Sequence, residues 1–379
     1  MPDLATHLPE LATHLPELAT HVIAAATLER FVADIFHKAG CAQDEAGRIA
    51  HHLMGATLTG HDSHGVIRTP RYVQWLGEGK VLAGQTLTVI ADSPTHAVVD
   101  GNFGFGQTIG PLAVDLGIAK AQAAGLSIVA LRRSGHIGRI GDWAERAAAK
   151  GLVSIHFVNV SQGELVAPWG GVDRRFSTNP ICVGVPAAGA EPMLILDLAT
   201  SLVAEGKVLV ASNGGKPLPA GALIRPDGTP STDPADLYGP LTVNGPRDPG
   251  LGQGALQAFG DHKGSGLAFM CEILAGVLTG GGTSGPIEGG AKRGRISNGM
   301  FSIYLDPGHF GAADFAARAA DYARYVKASR PSEPGGEVLV PGEKEARTRA
   351  HRLAHGVPLQ LDTWGALVAT AAGLGLAAP

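Results

Sequence analysis

Two short segments concentrate the residues able to do chemistry. In HDSHGVIRTPRYVQWLGEG, His64 and Arg68 precede Thr69 and Pro70, which fit the N-cap and first position of a helix ending near Gly77. Backbone N–H groups and the dipole at such an end favour an anion, and a guanidinium binds a carboxylate bidentately. Tyr72 adds a hydroxyl, although a surface histidine and a solvated arginine would account for the same spacing. In SGHIGRIGDWAERAA, His136 stands between two glycines where a strand should give way to a helix. Glycine lets a ligand approach closely and imidazole exchanges protons near neutral pH, so His136 suits acid/base work at a carbonyl or hydroxyl; a hydrogen-bonded structural histidine is the alternative. VAPWGGVDRRFSTNP, LDLATS and GDHKGSG place further Asp, Ser, Thr and Lys at expected strand ends, where ligands sit. There Asp197 is placed to orient a histidine or accept from a hydroxyl, and Lys263 to meet a phosphate or ribose. The charges of DRR at 173–175 and KRGR at 292–295 read as solvated loop charges.

Other chemistries are poorly served. GFGQTIG at 104–110 puts its third glycine one residue late for a GxGxxG fingerprint, and 120–130 contains no acidic residue. No GxxxxGK[ST] loop is present. His51, His52, His61 and His64 suggest a metal, but no HExxH accompanies them, and no metal is expected.

The elements that must carry these residues are mixed. Leu28, Phe31, Val32, Ile35 and Phe36 share one helical face before Gly40, and a second helix is expected from about Gln43 to Leu58. LTVIAD, THAVVDG, SIVALRRS, LVSIHFVNV and PMLILDLA read as strands; 109–125, DWAERAAAKG and 263–278 read as helices, and the chain ends helical. The Gly-, Pro- and Asp-rich stretch 214–260 reads as a long ordered loop. LATHLPE occurs at 4–10 and 11–17, followed by LATH at 18–21; Pro9 and Pro16 break each putative turn, so 1–21 is expected to be a disordered tail.

Of 379 residues, 45% are hydrophobic and 17% charged, which excludes wholesale disorder. A formal charge of −4 leaves no field for nucleic acid or an anionic membrane. Three scattered cysteines, no basic n-region and no apolar run of membrane-spanning length lead to the expectation of a soluble cytoplasmic protein.

Taken in order, GHDSHGVIRTPRYVQWLGEGKV, SGHIGRIGDWAERAAAKGLVSIHFVN, APWGGVDRRFSTNP, LDLATSLVAEGKV, DGTPSTDP, HKGSGLAFMCEILAGVLTG and PGEKEARTRAHRLAHGVPL resemble the malate/L-lactate dehydrogenase family that is distinct from the Rossmann enzymes. The likeness runs from about 27 to 375. The family includes ureidoglycolate dehydrogenase, diketogulonate reductase, sulfolactate dehydrogenase and piperideine-2-carboxylate reductase. The resemblance implies an α/β (α+β) fold: a non-Rossmann nicotinamide-binding domain with a mixed, largely antiparallel sheet flanked by helices, and a helical domain built from both ends of the chain. The expected division is 22–125 for the N-terminal substrate part, 126–295 for the cofactor domain and 296–379 for the C-terminal helices.

The resemblance also implies roles. Ser63, His64, Arg68 and Tyr72 match the substrate motif SHGVxRxxxY; His136 or His64 is the acid/base, with His136 favoured, and Asp197 is assigned to both catalysis and cofactor binding. Asn159, Asp197, Ala199, Thr200, Ser201, His262, Lys263, Pro341, Gly342 and Glu343 match cofactor-lining positions. STNP, AEGK and HKG depart from the commoner GTNP, an arginine or small residue before GK, and YKG, which leaves NAD and NADP both open. The implied activity is hydride transfer between NAD(P) and a small 2-hydroxy/2-oxo acid, with reduction of a cyclic imino acid such as piperideine-2-carboxylate as the alternative. A homodimer is implied as well.

Overall fold

The computed structural model describes residues 20–189, 191–212, 217–241, 248–285 and 294–379. The heptad copies lie outside the described residues. In chain order the chain forms β1 (Thr20–Ile23), α1 (Ala25–Lys38), α2 (Gln43–Leu58), α3 (Thr69–Gly77), β2 (Thr88–Asp92), β3 (His96–Asp100), α4 (Gly106–Ala124), β4 (Leu126–Ser134), α5 (Gly141–Ala148) and β5 (Val153–Val160). It continues through β6 (Ile181–Val185), β7 (Leu194–Leu198), α6 (Glu205–Ser212), β8 (Leu223–Ile224), β9 (Pro230–Ser231), α7 (Ala235–Tyr238), β10 (Ala255–Leu256) and α8 (His262–Cys271). A π-helical stretch, Glu272–Leu278, extends α8, and β11 (Asn298–Leu305), α9 (Phe315–Lys327), α10 (Glu343–His355), β12 (Val357–Gln360) and α11 (Leu361–Gly373) follow.

The apolar stripe read on the first helix is the buried face of α1, and α2 buries Ala46, Ile49, Ala50 and Leu53 against it. Each such large side chain contributes roughly 1.5–3 kcal/mol when removed from water. Tyr72 of α3 and Leu367 and Ala371 of α11 complete this helical lobe, so both ends of the chain build it. β1 pairs antiparallel with β12, and His21 stacks on Trp364 at 4.2 Å. Thr20 and His21, expected in the tail, thus belong to a strand, because a partner from the far end of the chain satisfies their backbone.

Among the described residues, the main sheet has the order β2-β3-β4-β11-β5-β6-β7, and only β3 and β4 run parallel. The mixed, largely antiparallel sheet expected from the resemblance is the one observed. GFGQTIG opens α4, which crosses over between that parallel pair. Helices α4 and α5 bury Ile109, Val114 and Trp143 on one face against Val99, Leu131 and Met300. On the other face, Ala275 of the π-helical stretch meets Ala130 and Phe301.

Two expectations change here. The sheet takes β2 and β3 from before residue 126 and its central strand β11 from after 295, so it extends across both expected boundaries. No change of composition marks the crossings, since pairing of distant strands creates the unit. The segment 214–260 is also more than a loop: among its described residues, β8, β9 and β10 pair, and Leu223, Leu237, Tyr238 and Leu256 form a small core with Val208. Strands of two residues are too short to show alternation. Arg174, expected to be solvated, is instead a tie within this lobe. It donates from Nε to the Gly254 carbonyl (2.7 Å), from Nη1 to that of Pro249 (2.5 Å) and from Nη2 to that of Gly252 (2.9 Å).

Cys41, Cys182 and Cys271 are free and buried, and burial pushes the Cys41 and Cys271 thiols up to about 12. No helix among the described residues is long and apolar enough to cross a membrane.

The contact of α4 with β11 depends on Gly117, where a Cβ would fall 2.2 Å from a carbon of the buried Tyr304 ring. Alanine favours a helix over glycine by about 1 kcal/mol, whereas overpacking costs roughly 1–3 kcal/mol. Gly117→Ala is therefore expected to lower the thermal midpoint; a raised midpoint in a melting experiment would show that the ring yields.

Candidate active site

His136 lies in the loop between β4 and α5. The start of α4 presses on this loop: a side chain at Gly106 would come within 2.3 Å of the His136 carbonyl oxygen. The adjacent Gln107 donates from Nε2 to that carbonyl (3.3 Å) and to the Tyr72 hydroxyl (3.2 Å). A carbonyl accepts and cannot donate, so its proximity fixes which end of the Gln107 amide faces it. The Tyr72 oxygen then accepts from Gln107, and because His136 Nδ1, 2.5 Å away, is the one other partner of this hydroxyl among the described residues, its own proton points there. The consequence is a neutral His136 carrying its proton on Nε2.

His64 stacks beside it, the rings 5.5 Å apart and 18° from parallel. Two 3-10 turns, Asp62–His64 and Val66–Arg68, lead into α3. Gly65 between them sits where a Cβ would be 2.1 Å from Thr57 Oγ1, and Val66 N–H donates to that oxygen at 3.0 Å. The expected N-cap at Thr69 shifts as a result: Arg68 occupies that position and makes no side-chain cap, while Thr69 is helical. Arg68 Nε donates to the Ser63 carbonyl (2.6 Å), and its Nη2 stands 3.7 Å from Glu205 Oε2. His64 Nδ1 is 3.0 Å from Ser63 Oγ.

Burial, assisted by the positive charge of Arg68, lowers His64 to about 3 and holds His136 well below the usual histidine range. Burial also pushes Tyr72 up to about 12. All three are neutral at pH 7. Their site combines neutral proton carriers with one adjacent guanidinium.

A cleft of about 500 Å³ opens beside His64, lined by Arg139, Asp197, Ser201, Lys207 and Lys344 among others. Gly138, Ala199 and Ala204 give it a wall of small residues, and the two lysines supply cations. A flat ring against the small wall and a diphosphate near the ammonium groups suit this donor set, so the cleft fits a nicotinamide dinucleotide. A second chamber, about 290 Å³, lies between α6, β12 and the 3-10 turns; Ser63 borders both spaces.

The expected site residues separate into groups. Ser63, His64, Arg68, Tyr72 and His136 come together, and Asp197, Ala199 and Ser201 line the cleft. Asp197 does not orient a histidine: it accepts the Gly141 N–H at 2.8 Å, at the start of α5, and lies 3.9 Å from Arg139 Nε. Burial pushes its carboxyl up. Thr200 gives its hydroxyl proton to the carbonyls of Thr178 and Asn179. Asn159 is buried away from the cleft, donating to Glu272 and the Gly282 carbonyl and accepting from Gly299 N–H. Its amide is thereby committed to joining β5, β11 and the π-helical stretch. His262 packs against Trp169 and, with Lys263, begins α8 outside the cleft lining. The turn at Pro341, Gly342 and Glu343 docks α10: the Pro341 carbonyl accepts Ile195 N–H, and Glu343 pairs with Lys327. The next residues, Lys344 and Glu345, reach the cleft instead.

Sequence reasoning missed Gln107, Arg139, Glu205 and Lys344. Arg139 is fully buried and holds Asp142 and Glu145 at 2.8 Å each. An arginine followed three and six residues later by Asp142 and Glu145 was the available signal. The clustered histidines part company: His51 faces Glu29, His52 faces Asp142 and His61 faces Glu345.

The family model described as malate/L-lactate dehydrogenase matches residues 23–368. Hydroxycarboxylate dehydrogenase B of Escherichia coli K12 is 41% identical, over 93% of this chain and 94% of its own length. A Δ1-pyrroline-2-carboxylate/Δ1-piperideine-2-carboxylate reductase of Pseudomonas putida is 34% identical, over 87% of this chain and 91% of its own. The solved malate dehydrogenase of Pyrococcus horikoshii OT3 superposes with a TM-score of 0.81 at 30% identity, covering 95% of this chain and 97% of that one.

The buried histidines set an acid limit. His156, fully buried between Ser154 and Ser302, is lowered by burial to about 3, in the same direction as His64 and His136. The unfolded chain binds these protons below about pH 6.5 and the folded chain does not, so the stability they contribute is complete above that pH and falls as pH drops toward 3. Asp197, shifted upward, acts in the opposite sense at lower pH. Urea unfolding should lose about 2 kcal/mol between pH 7.5 and 5.0 from His156 alone, at roughly 1.4 kcal/mol per pH unit. A flat profile would contradict the neutral assignment.

Proposed function

The chain belongs to the malate/L-lactate dehydrogenase family, and from that premise we propose that it moves a hydride between NAD or NADP and C2 of a small 2-hydroxy/2-oxo carboxylic acid. The observation that carries the reading is the neutral His64–His136 pair, backed by Tyr72 and Gln107 and set beside Arg68.

Bound in the cleft, nicotinamide supplies or accepts the hydride. Arg68 holds the C1 carboxylate, with its Nε already fixed by the Ser63 carbonyl. The C2 oxygen takes a hydrogen bond from His136 Nε2–H. As that oxygen gains negative charge during reduction, the Nε2 proton moves to it and the Tyr72 proton moves to Nδ1, so the ring stays neutral. The proton deficit arrives on the Tyr72 oxygen, which Gln107 holds by N–H donation. A phenolate is a weaker base than an alkoxide, even with the phenol at about 12, so the relay runs downhill. After product leaves, water at the substrate position protonates His136 Nε2 and the Nδ1 proton returns to the buried Tyr72 oxygen, and oxidation runs the same path in reverse. His64, held by Ser63, bounds the oxygen's position and is the second candidate for the proton. Ala199, Ser201, Lys207 and Lys344 hold the cofactor, with Asp197 and Arg139 shaping the wall.

A second reading is supported by the P. putida relative: reduction of a cyclic imino acid, which needs the same carboxylate anchor and hydride. We also propose a cytoplasmic homodimer. Its support is the apolar face of α8 and the π-helical stretch, where Phe269, Met270, Val277 and Leu278 are exposed. Light scattering should give twice the chain mass, and Val277→Asp with Phe269→Asp should reduce it to one; an unaltered mass would place the interface elsewhere.

The activity test follows absorbance at 340 nm with NADH or NADPH against a panel of 2-oxo acids and a cyclic imino acid. Turnover of imines alone would favour the second reading. His136→Ala is expected to cut kcat by about 10²–10⁴ with cofactor affinity retained. Arg68→Ala should raise the substrate KM and spare cofactor affinity. Unimpaired turnover in His136→Ala, or equal loss of substrate and cofactor affinity in Arg68→Ala, would remove the corresponding role.

A further inference from the structure

The chamber that begins at Ser63 is more selective than an anion pocket needs to be. Its walls include Val66, Ile67, Leu209, Val210 and Leu359, all apolar. Four charged side chains face it: Asp62, Arg68, Arg71 and Glu205. Two of them have little hold on its interior. The Asp62 carboxylate accepts from both Nη atoms of Arg352, at 2.5 and 3.1 Å, and Arg71 is exposed. Arg68 and Glu205 remain as the inner pair, with side chains 25% and 20% exposed.

Glu205 is fixed there by its neighbours. The buried Tyr238, in the small lobe, donates its hydroxyl to Glu205 Oε1 at 2.6 Å, leaving Oε2 to face Arg68 Nη2 at 3.7 Å. The next residue, Gly206, lies so close to the 3-10 turn that a Cβ would be 2.3 Å from Ser63 Cβ. Helix α6 therefore sits tight against the Ser63 turn.

We propose that Glu205 is a specificity-determining residue that disfavours a second carboxylate on the substrate and directs the protein toward 2-oxo monocarboxylates with an apolar remainder. The inference rests on the hydroxyacid reading above. Arg68 brings one positive charge, and its counter-anion is already in place. A monocarboxylate adds one negative charge and lays its chain on apolar walls, which favours burial. A dicarboxylate adds two, and its distal group must lie among apolar side chains near the Glu205 carboxylate, where like charges repel more strongly than in water.

The test uses two near-isosteric substrates, 4-methyl-2-oxopentanoate and oxaloacetate, which differ in an isopropyl group against a carboxylate. Steady-state kcat/KM is measured with the full chain and whichever of NADH and NADPH it uses. The wild type should prefer the branched acid by about tenfold or more, and Glu205→Gln should narrow that preference by about tenfold, through the KM of oxaloacetate with kcat little changed. Preference for oxaloacetate by the wild type overturns the inference. So does an equal shift for both substrates in Glu205→Gln, which would make Glu205 a general modulator of Arg68. Should Glu205→Gln fail to fold by circular dichroism, Glu205→Ala, which also removes the negative charge, replaces it: a narrowed ratio supports the inference and an unchanged one overturns it. If the wild type turns over neither acid while reducing a cyclic imino acid, or shows no turnover at all, the hydroxyacid reading fails and this inference falls with it.

Discussion

The hydrogen bond from the Tyr72 hydroxyl to His136 Nδ1 joins two lobes that have separate cores. Tyr72 is anchored in the helical lobe among Phe36, Trp75 and Phe105, whereas His136 belongs to the loop that leaves β4 of the main sheet. The geometry is enforced from behind, since Gln107 at the start of α4 contacts both partners and Gly106 allows the loop to lie against that helix. The imidazole tautomer is a consequence of how the lobes pack. Any movement of one lobe against the other would change where the Nε2 proton points.

A second constraint is electrostatic. Arg139 is fully buried, and charges removed from water are tolerated only where partners surround them. Asp142 and Glu145 are those partners, and Asp142 also accepts from His52 of α2. This network ties the first turn of α5 to the helical lobe, next to the wall that Asp197 presents to the cleft. The site histidines stay neutral because they are buried and meet the positive charge of Arg68, which together outweigh the opposing Asp142 carboxylate at His64.

These two constraints explain why the chemistry is confined to a small space. The lobes enclose the histidine pair and the Arg68 guanidinium, and the adjoining chambers differ in character, one broad and rimmed with cations, the other mostly apolar with an inner ion pair. Family members act on substrates with the same carboxylate and differing remainders, as their names record. A fixed Tyr72–His136 hydrogen bond beside a chamber whose walls can vary is a physical basis for that range.

Local patterns settled much of the fold in advance. The stripe of Leu28, Phe31, Val32, Ile35 and Phe36, the helix ending at Gly125 and the β-branched runs of the main sheet depend on periodicity and on residue preferences that act within a few positions. The order of motifs was sufficient to place the chain in its family and to bring His64, Arg68, Tyr72 and His136 into view. Contacts between distant residues were not legible in this way. The placement of β11 between β4 and β5, the capture of Arg174 by backbone carbonyls, the burial of Arg139, the diversion of Asn159 into a packing network and the meeting of Glu205 with Arg68 depend on which surfaces the finished fold presses together. A side chain's type limits the bonds it can make, but its partners are chosen by tertiary packing, because hydrogen bonds and ion pairs act over a few ångströms whatever the separation along the chain.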